Sequence, residues 1–419
     1  MRAGLQRATT VSSQRSARGG MALRLGGVAL SPQDEVKHFK FVGTTGTGKS
    51  TAIRQLLAGA LARGDRAIIA DPDGAYLARF YDRYRGDAIL NPFEPYTVAW
   101  SPFAEGRAGF DFDELARGFV PDAQDPAAQE WRGYARAFLA SLLRRCSERG
   151  THDPAEFWRL LATASVSEVR AVVSGTPAQP FLDPDNLRMF CSIRSVTVAT
   201  VAALEHIRVG RSPPFSVRDF VRNGRGILFL PYRAGQIATL KAMIATWIRL
   251  AIYEGLGGTP DKDLRLWFVL DELDAIGAID GLKDALSRLR KFGGRCVLGF
   301  QSTAQIWGTY GDSAARTIVE NCANTLILRC SGSAPGGTSH FTSQLIGERE
   351  VIRRQTSRGS ERGQLLATPG ARRSRHVSDQ HATEVAVLPA ELEQLPDLTG
   401  YLKTASSGCW VRIRLAPDA

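Results

Sequence analysis

Apolar positions along the chain follow two different periods, and the switches between them outline the architecture. Residues 21–30 carry Leu23, Leu25, Val28 and Leu30 around Gly26-Gly27, which predicts one or two short strands. Residues 38–42 (HFKFV) are strand-like and run straight into a glycine-rich turn. Residues 50–63 then place Ile53, Leu56, Leu57, Ala60 and Leu61 at helical spacing, with Gly64 as a stop. Residues 66–70 form a short apolar strand closed by Asp71-Pro72-Asp73-Gly74, a good turn sequence. Strand, turn, helix, strand is the βαβ unit of a parallel sheet.

From about residue 104 to 210 the period becomes helical. Trp131, Ala135, Phe138 and Leu142 share one face, and Asp153-Pro154 reads as an N-cap followed by proline at the first helical position. Residues 186–209 predict one long helical stretch, and Pro213-Pro214 closes the block. Trp100, Trp131, Trp158 and Trp247 sit among apolar residues and are expected in the core. The α/β alternation then resumes. Strands are predicted at 226–231, 264–270, 295–300 and 325–329, and helices at 237–253, 282–290 and 315–322. Residues 331–337 and 349–380 are polar and rich in breakers, so the second stretch is expected to be a flexible insert. Residues 410–415 alternate like an edge strand.

The fold class is therefore α/β, with a central, mostly parallel sheet and an inserted all-α domain. The expected boundaries are a disordered basic tail at 1–20, a first part of the α/β domain at 21–103, the all-α domain at 104–212 and a second part of the α/β domain at 213–419.

Composition narrows the field only slightly. There are 419 residues, 44% hydrophobic and 23% charged, which excludes a wholly disordered chain or a coiled-coil rod. Lys and Arg outnumber Asp and Glu by 53 to 42, a balance compatible with nucleic acid or an anionic surface. The six cysteines show neither C-x-x-C nor zinc-finger spacing, and reduced thiols of a cytosolic protein are expected. No apolar run reaches the roughly 18 residues that a membrane span needs. The Arg-rich first 20 residues also fit a transit peptide, or residues upstream of a start at Met21.

The strongest chemical signal is Gly43-Thr44-Thr45-Gly46-Thr47-Gly48-Lys49-Ser50, followed by Thr51. It fits G-x-x-x-x-G-K-[ST], with the strand before and the helix after that the motif requires. Glycines let backbone N–H groups wrap phosphates, and the helix start points its positive end at the same anion. Lys49 can reach the β- and γ-phosphates of ATP, and the Ser50 hydroxyl can ligate Mg²⁺. The run LWFVLDE delivers Asp271 and Glu272 at the end of an apolar strand. That is a Walker B arrangement, with Asp271 for Mg²⁺ and Glu272 to polarise the attacking water. Gln301 ends the next strand, where a neutral amide can sense the γ-phosphate or simply cap a turn. In Arg288-Leu289-Arg290-Lys291 the local sequence leaves open an arginine finger or a solvated helix end.

The segments HFKFVGTTGTGKST, ILNPFEPYTVAWSPF, LWFVLDELDAIGAIDGLKDALSRLRKFGGRCVLGFQSTAQI and ARTIVENCANTLILRC resemble the conjugative coupling proteins of type IV secretion systems, the TraD/TrwB group, relatives of FtsK-type DNA pumps. The likeness runs from about residue 22 to 415. It implies a RecA-like P-loop domain with an inserted all-α domain. It also implies a homohexameric ATPase that moves single-stranded DNA, with a relaxase, toward a secretion channel. Lys49 and Ser50 match the family's Walker A, Asp271 and Glu272 its Walker B, Gln301 its sensor-like glutamine and Arg290 its trans arginine finger. Family members begin with two transmembrane helices. With no such run here, the anchor lies on another polypeptide, or the chain is a soluble fragment or variant. The expected location is cytoplasmic, or peripheral at the inner membrane. The alternatives are a different FtsK- or helicase-like translocase, or a non-motor adaptor that binds DNA and relaxase.

Overall fold

A computed structural model describes residues 6–7, 22–123, 125–208, 210, 213–259, 265–361 and 372–417, with backbone only for 6–7, 357–361 and 372–376. The main strands are β1 (Phe39–Val42), β2 (Arg66–Pro72), β3 (Ala88–Ile89), β4 (Ile227–Tyr232), β5 (Leu266–Leu270), β6 (Gly294–Phe300) and β7 (Asn324–Ile327). A separate ribbon pairs β8 (Glu348–Glu361) with β9 (Arg372–Val385), and β10 (Thr399–Lys403) and β11 (Val411–Arg414) follow. The sheet order is β11-β10-β7-β1-β6-β5-β2-β4-β3, with Gln6–Arg7 beside β11 at the far edge. From β7 to β3 all neighbours are parallel, whereas β10 pairs antiparallel with both β7 and β11.

Period-two alternation inside apolar strands feeds two cores, one on each sheet face. Ala67, Ile69, Phe229, Trp267 and Val269 join Ile53, Leu56 and Leu57 of α1 (Lys49–Ala62) on one side. Ile68, Ala70, Leu228, Leu230, Phe268 and Leu270 join the 237–257 helix and the helical block on the other. Both faces are covered, so the central strands read as continuous hydrophobic runs in the sequence.

Between β3 and β4 the chain is helical, with α-helices from Gly109–Phe119 to Leu187–Thr200. The block leaves at Trp100 and returns at Phe215, which form a parallel bridge. Glu105 fastens this junction. It is fully buried and accepts from Trp100 Nε1 at 2.8 Å, Val217 N at 2.7 Å and Ser216 Oγ at 3.0 Å. Arg218 N adds a fourth donor at 3.2 Å, and four donors on one buried carboxylate explain why the acid is tolerated there. The expected 186–209 helix stops at Thr200 and continues as a 3-10 turn, Ala202–His206. Trp100 and Trp247 are buried against each other, but Trp131 lies exposed on Tyr134.

The stretch expected to be a flexible insert at 349–380 is largely an antiparallel ribbon instead, with register Glu348↔Val385 to Glu361↔Arg372. Cross-strand ion pairs such as Arg354–Asp379 at 3.0 Å and His381–Glu350 at 2.7 Å line it. At 348–356 and 377–385 most side chains on both faces are exposed, so the ribbon needs no apolar stripe and leaves no strand-like signal. The tail expected at 1–20 lies outside the described residues, apart from Gln6–Arg7. No helix among the described residues is long and apolar enough to cross a membrane.

Candidate nucleotide site

All the strand ends that carry candidate chemistry point the same way. β1, β5 and β6 are parallel, so the loop 43–50, Asp271-Glu272 and Gln301 meet at their carboxyl ends, where open α/β sheets bind ligands. β6 lies between β1 and β5, which sets Gln301 between the glycine-rich loop and the acids.

The loop is fixed from both sides. Thr44 N donates to Arg329 O at 2.8 Å, and Leu398 N donates to Thr47 O at 3.0 Å. Gly46 and Gly48 take positive φ of 77° and 112°, which side chains rarely adopt. A Cβ at Gly43 would sit 2.8 Å from Thr47 Oγ1 and 2.9 Å from Leu328 Cβ, so the first glycine is needed for close approach. Lys49 folds its buried ammonium onto Gly43 O at 2.6 Å and Thr44 O at 3.1 Å. Burial pulls its pKa below the usual lysine range, opposed by the charges of Asp271 and Glu272. Thr51 is buried in the first turn of α1.

Ser50 Oγ donates to Asp271 Oδ2 at 2.6 Å, and Tyr76 OH donates to the same oxygen at 2.8 Å. The other oxygen, Oδ1, is buried without a partner. A hydroxyl and an under-satisfied carboxylate beside a lysine form the oxygen-rich set that Mg²⁺ prefers. Glu272 is raised above the ordinary carboxylate range by burial and by the nearby charges of Asp271 and Asp274. Gln301 bridges the two halves: its Oε1 accepts from Thr45 Oγ1 at 3.1 Å, and its Nε2 lies 3.5 Å from Glu272 Oε1.

Arg290 does not join this cluster. It is exposed in the 3-10 turn Leu289–Phe292, just before β6 begins. Gln301 follows the far end of that strand, so the two are about 20 Å apart along it. Arg290 is therefore out of reach of its own chain's site.

Two participants were not visible in sequence. Tyr76 enters from the helix after β2. Gly299 lies against the acids: a Cβ there would fall 2.2 Å from Asp271 O. Nothing local marks either one, because each depends on which strands become neighbours.

Fold and site together define a RecA-like P-loop nucleotide-binding protein with a helical block inserted between two of its strands. Residues 22–416 match the family described as "Type IV secretion-system coupling protein DNA-binding domain", and the chain belongs to that family. It is 28% identical over 389 residues to the coupling protein TraD of Escherichia coli K12, covering 91% of this chain and 52% of TraD, so it spans about half the length of that relative. Among solved structures, an unbound form of the bacterial conjugative coupling protein TrwBdeltaN70 superposes with a TM-score of 0.84 at 29% identity, covering 97% of this chain and 90% of the other. The plasmid coupling protein TrwB in complex with ADP and Mg²⁺ gives 0.82 at 29% identity, covering 96% and 90%.

Proposed function

We propose that the chain is the ATP-hydrolysing motor of a conjugative coupling protein, acting on single-stranded DNA as a homohexamer. The observation that carries this reading is the convergence of Lys49, Ser50, Asp271, Glu272 and Gln301 at one end of three parallel strands. The relative with bound ADP and Mg²⁺ supports the same ligands here.

Backbone N–H groups from Gly43 to Ser50, with Thr51 behind them, would cradle the phosphates. Lys49 would leave its carbonyls for the β- and γ-phosphates. Ser50 and Asp271 would hold Mg²⁺, which supplies charge neutralisation on the phosphate oxygens. Glu272 orients and polarises water, and its raised proton affinity suits a base. Gln301, touching both Thr45 and Glu272, is placed to report the γ-phosphate to the acid. Arg290 would complete a neighbour's site, since it stands at the opposite end of β6 from its own chain's acids. Transfer of DNA with a relaxase toward a type IV secretion channel, at the cytoplasmic face of an inner membrane, completes the proposal.

The test is steady-state ATP hydrolysis with and without single-stranded DNA over a range of protein concentrations. A DNA-stimulated rate that rises more than linearly with protein, and is lost in Lys49→Ala and Arg290→Ala, is expected. No hydrolysis under conditions that assemble oligomers would overturn the motor reading.

A further inference from the structure

The turn Asp71-Pro72-Asp73-Gly74 does more than reverse the chain. Asp71 is completely buried at the end of β2. Its Oδ1 accepts from Tyr76 N at 3.0 Å and its Oδ2 from Leu77 N at 2.7 Å. These are first-turn donors of helix α2 (Ala75–Phe80), whose N-cap, Gly74, has no side chain to satisfy them. One carboxylate thus sets the position and rotation of the helix start, and with it Tyr76.

Tyr76 is 1% exposed, its ring packed in the α1-side core with Phe229 and Ile69. Its hydroxyl reaches under the nucleotide site to Asp271 Oδ2, the oxygen that also receives Ser50 Oγ. A ligating carboxylate is generally oriented by such an outer partner, and the loss of one typically costs 10- to 100-fold in metal affinity. Ser50 cannot do this alone, because its hydroxyl is itself a candidate ligand.

We propose that Tyr76, clamped by Asp71, is the positioning residue for the cation: its hydroxyl holds the Asp271 carboxylate beside Ser50. The inference rests on the nucleotide-site reading above. It assigns a role to Asp71 and Tyr76 that neither the loop motif nor the acid pair contains. The binding step involves no covalent change: Tyr76 keeps its proton and only donates it in a hydrogen bond.

The test uses Tyr76→Phe, which keeps the ring and removes the hydroxyl. Binding of a fluorescent ADP analogue is measured in EDTA and across a Mg²⁺ titration. Affinity in EDTA should stay within twofold of the parent chain, while the Mg²⁺ concentration for half-maximal tightening should rise at least tenfold. A folded Tyr76→Phe chain with unchanged Mg²⁺ dependence would overturn the proposal. Should that variant not fold, Asp71→Asn gives the same decision: it removes one of the two acceptors that hold the helix start, and an unchanged Mg²⁺ midpoint there also overturns it. A parent chain that binds no nucleotide at any Mg²⁺ concentration would instead overturn the nucleotide-site reading beneath it.

Discussion

Gly299→Ala is the sharpest test of how the sheet builds the acid cluster. Gly299 is on β6, and its N–H and C=O serve the ladder and the turn beyond β5: Leu273 N donates to Gly299 O at 3.1 Å. An added Cβ would lie 2.2 Å from Asp271 O, 2.9 Å from Asp271 Oδ1 and 3.0 Å from Asp271 C. Ordinary C···O contacts begin near 3.3 Å, so the backbone at Asp271 must retreat by about 1 Å. Backbone cannot swing aside as a flexible side chain can, and overpacking of this kind costs about 1–3 kcal/mol. A displacement near 1 Å at a catalytic group can cost roughly 100-fold in rate. The expected outcome is hydrolysis reduced by about two orders of magnitude, with a lower melting temperature. Gly308→Ala is the matched control, because a Cβ there meets nothing within 4 Å in the helix Thr303–Tyr310. It should leave rate and stability unchanged, or slightly raise stability through helix propensity. DNA-stimulated hydrolysis by Gly299→Ala within threefold of the parent chain would refute the close-approach reasoning.

Glu272→Gln should keep nucleotide binding but lose roughly 10²–10⁴-fold in hydrolysis, measured in single-turnover assays, because the amide cannot polarise water. Arg290→Ala alone should be inactive, yet mixing it with Glu272→Gln should restore part of the rate. Each chain then supplies what its neighbour lacks, and no recovery at any mixing ratio would argue against an arginine acting in trans. His38 is buried, and its pKa is lowered to about 4, first by burial and then by Arg290 and Arg295, against a raising hydrogen bond to Leu286 O. Its contribution to stability is therefore fully present above the unfolded value near 6.5 and is lost as pH falls toward 4. On the order of 3 kcal/mol is at stake in denaturant melts, a slope that His38→Gln should remove.

What could be read from the sequence follows from how local each feature is. Lys49 and Ser50 are dictated within eight consecutive residues, since the loop needs its glycines in place and the helix starts where the lysine stands. Asp271 and Glu272 need one further inference, that an apolar run is a central strand whose end faces the ligand. Gln301 shares that logic, and its position between the loop and the acids comes from β6 pairing with both β1 and β5. Arg290 shows the limit. Its sequence neighbourhood leaves finger and solvated helix end equal, and the trans finger is what the family resemblance implies; the structure adds only that Arg290 lies about 20 Å along β6 from its own chain's Gln301.

The misreadings have the same origin seen from outside the core. Hydrophobic periodicity reports burial, so it is silent wherever an element buries nothing. β8 and β9 form a ladder of fourteen residue pairs, yet Arg354, Asp379 and His381 stand on one face and Arg353 and Glu384 on the other, so neither face is uniformly apolar. Trp131 errs the other way: it lies on the apolar stripe of a 23-residue helix, Pro126–Glu148, but one turn short of where the packing begins at Ala135. Tyr76 and Gly299 are ordinary core residues by pattern, and they acquire meaning only because the sheet order places β2 and β6 on either side of β5. The acid at the end of β5 is thus held by both of its neighbouring strands, one through a hydroxyl and one through the absence of a side chain.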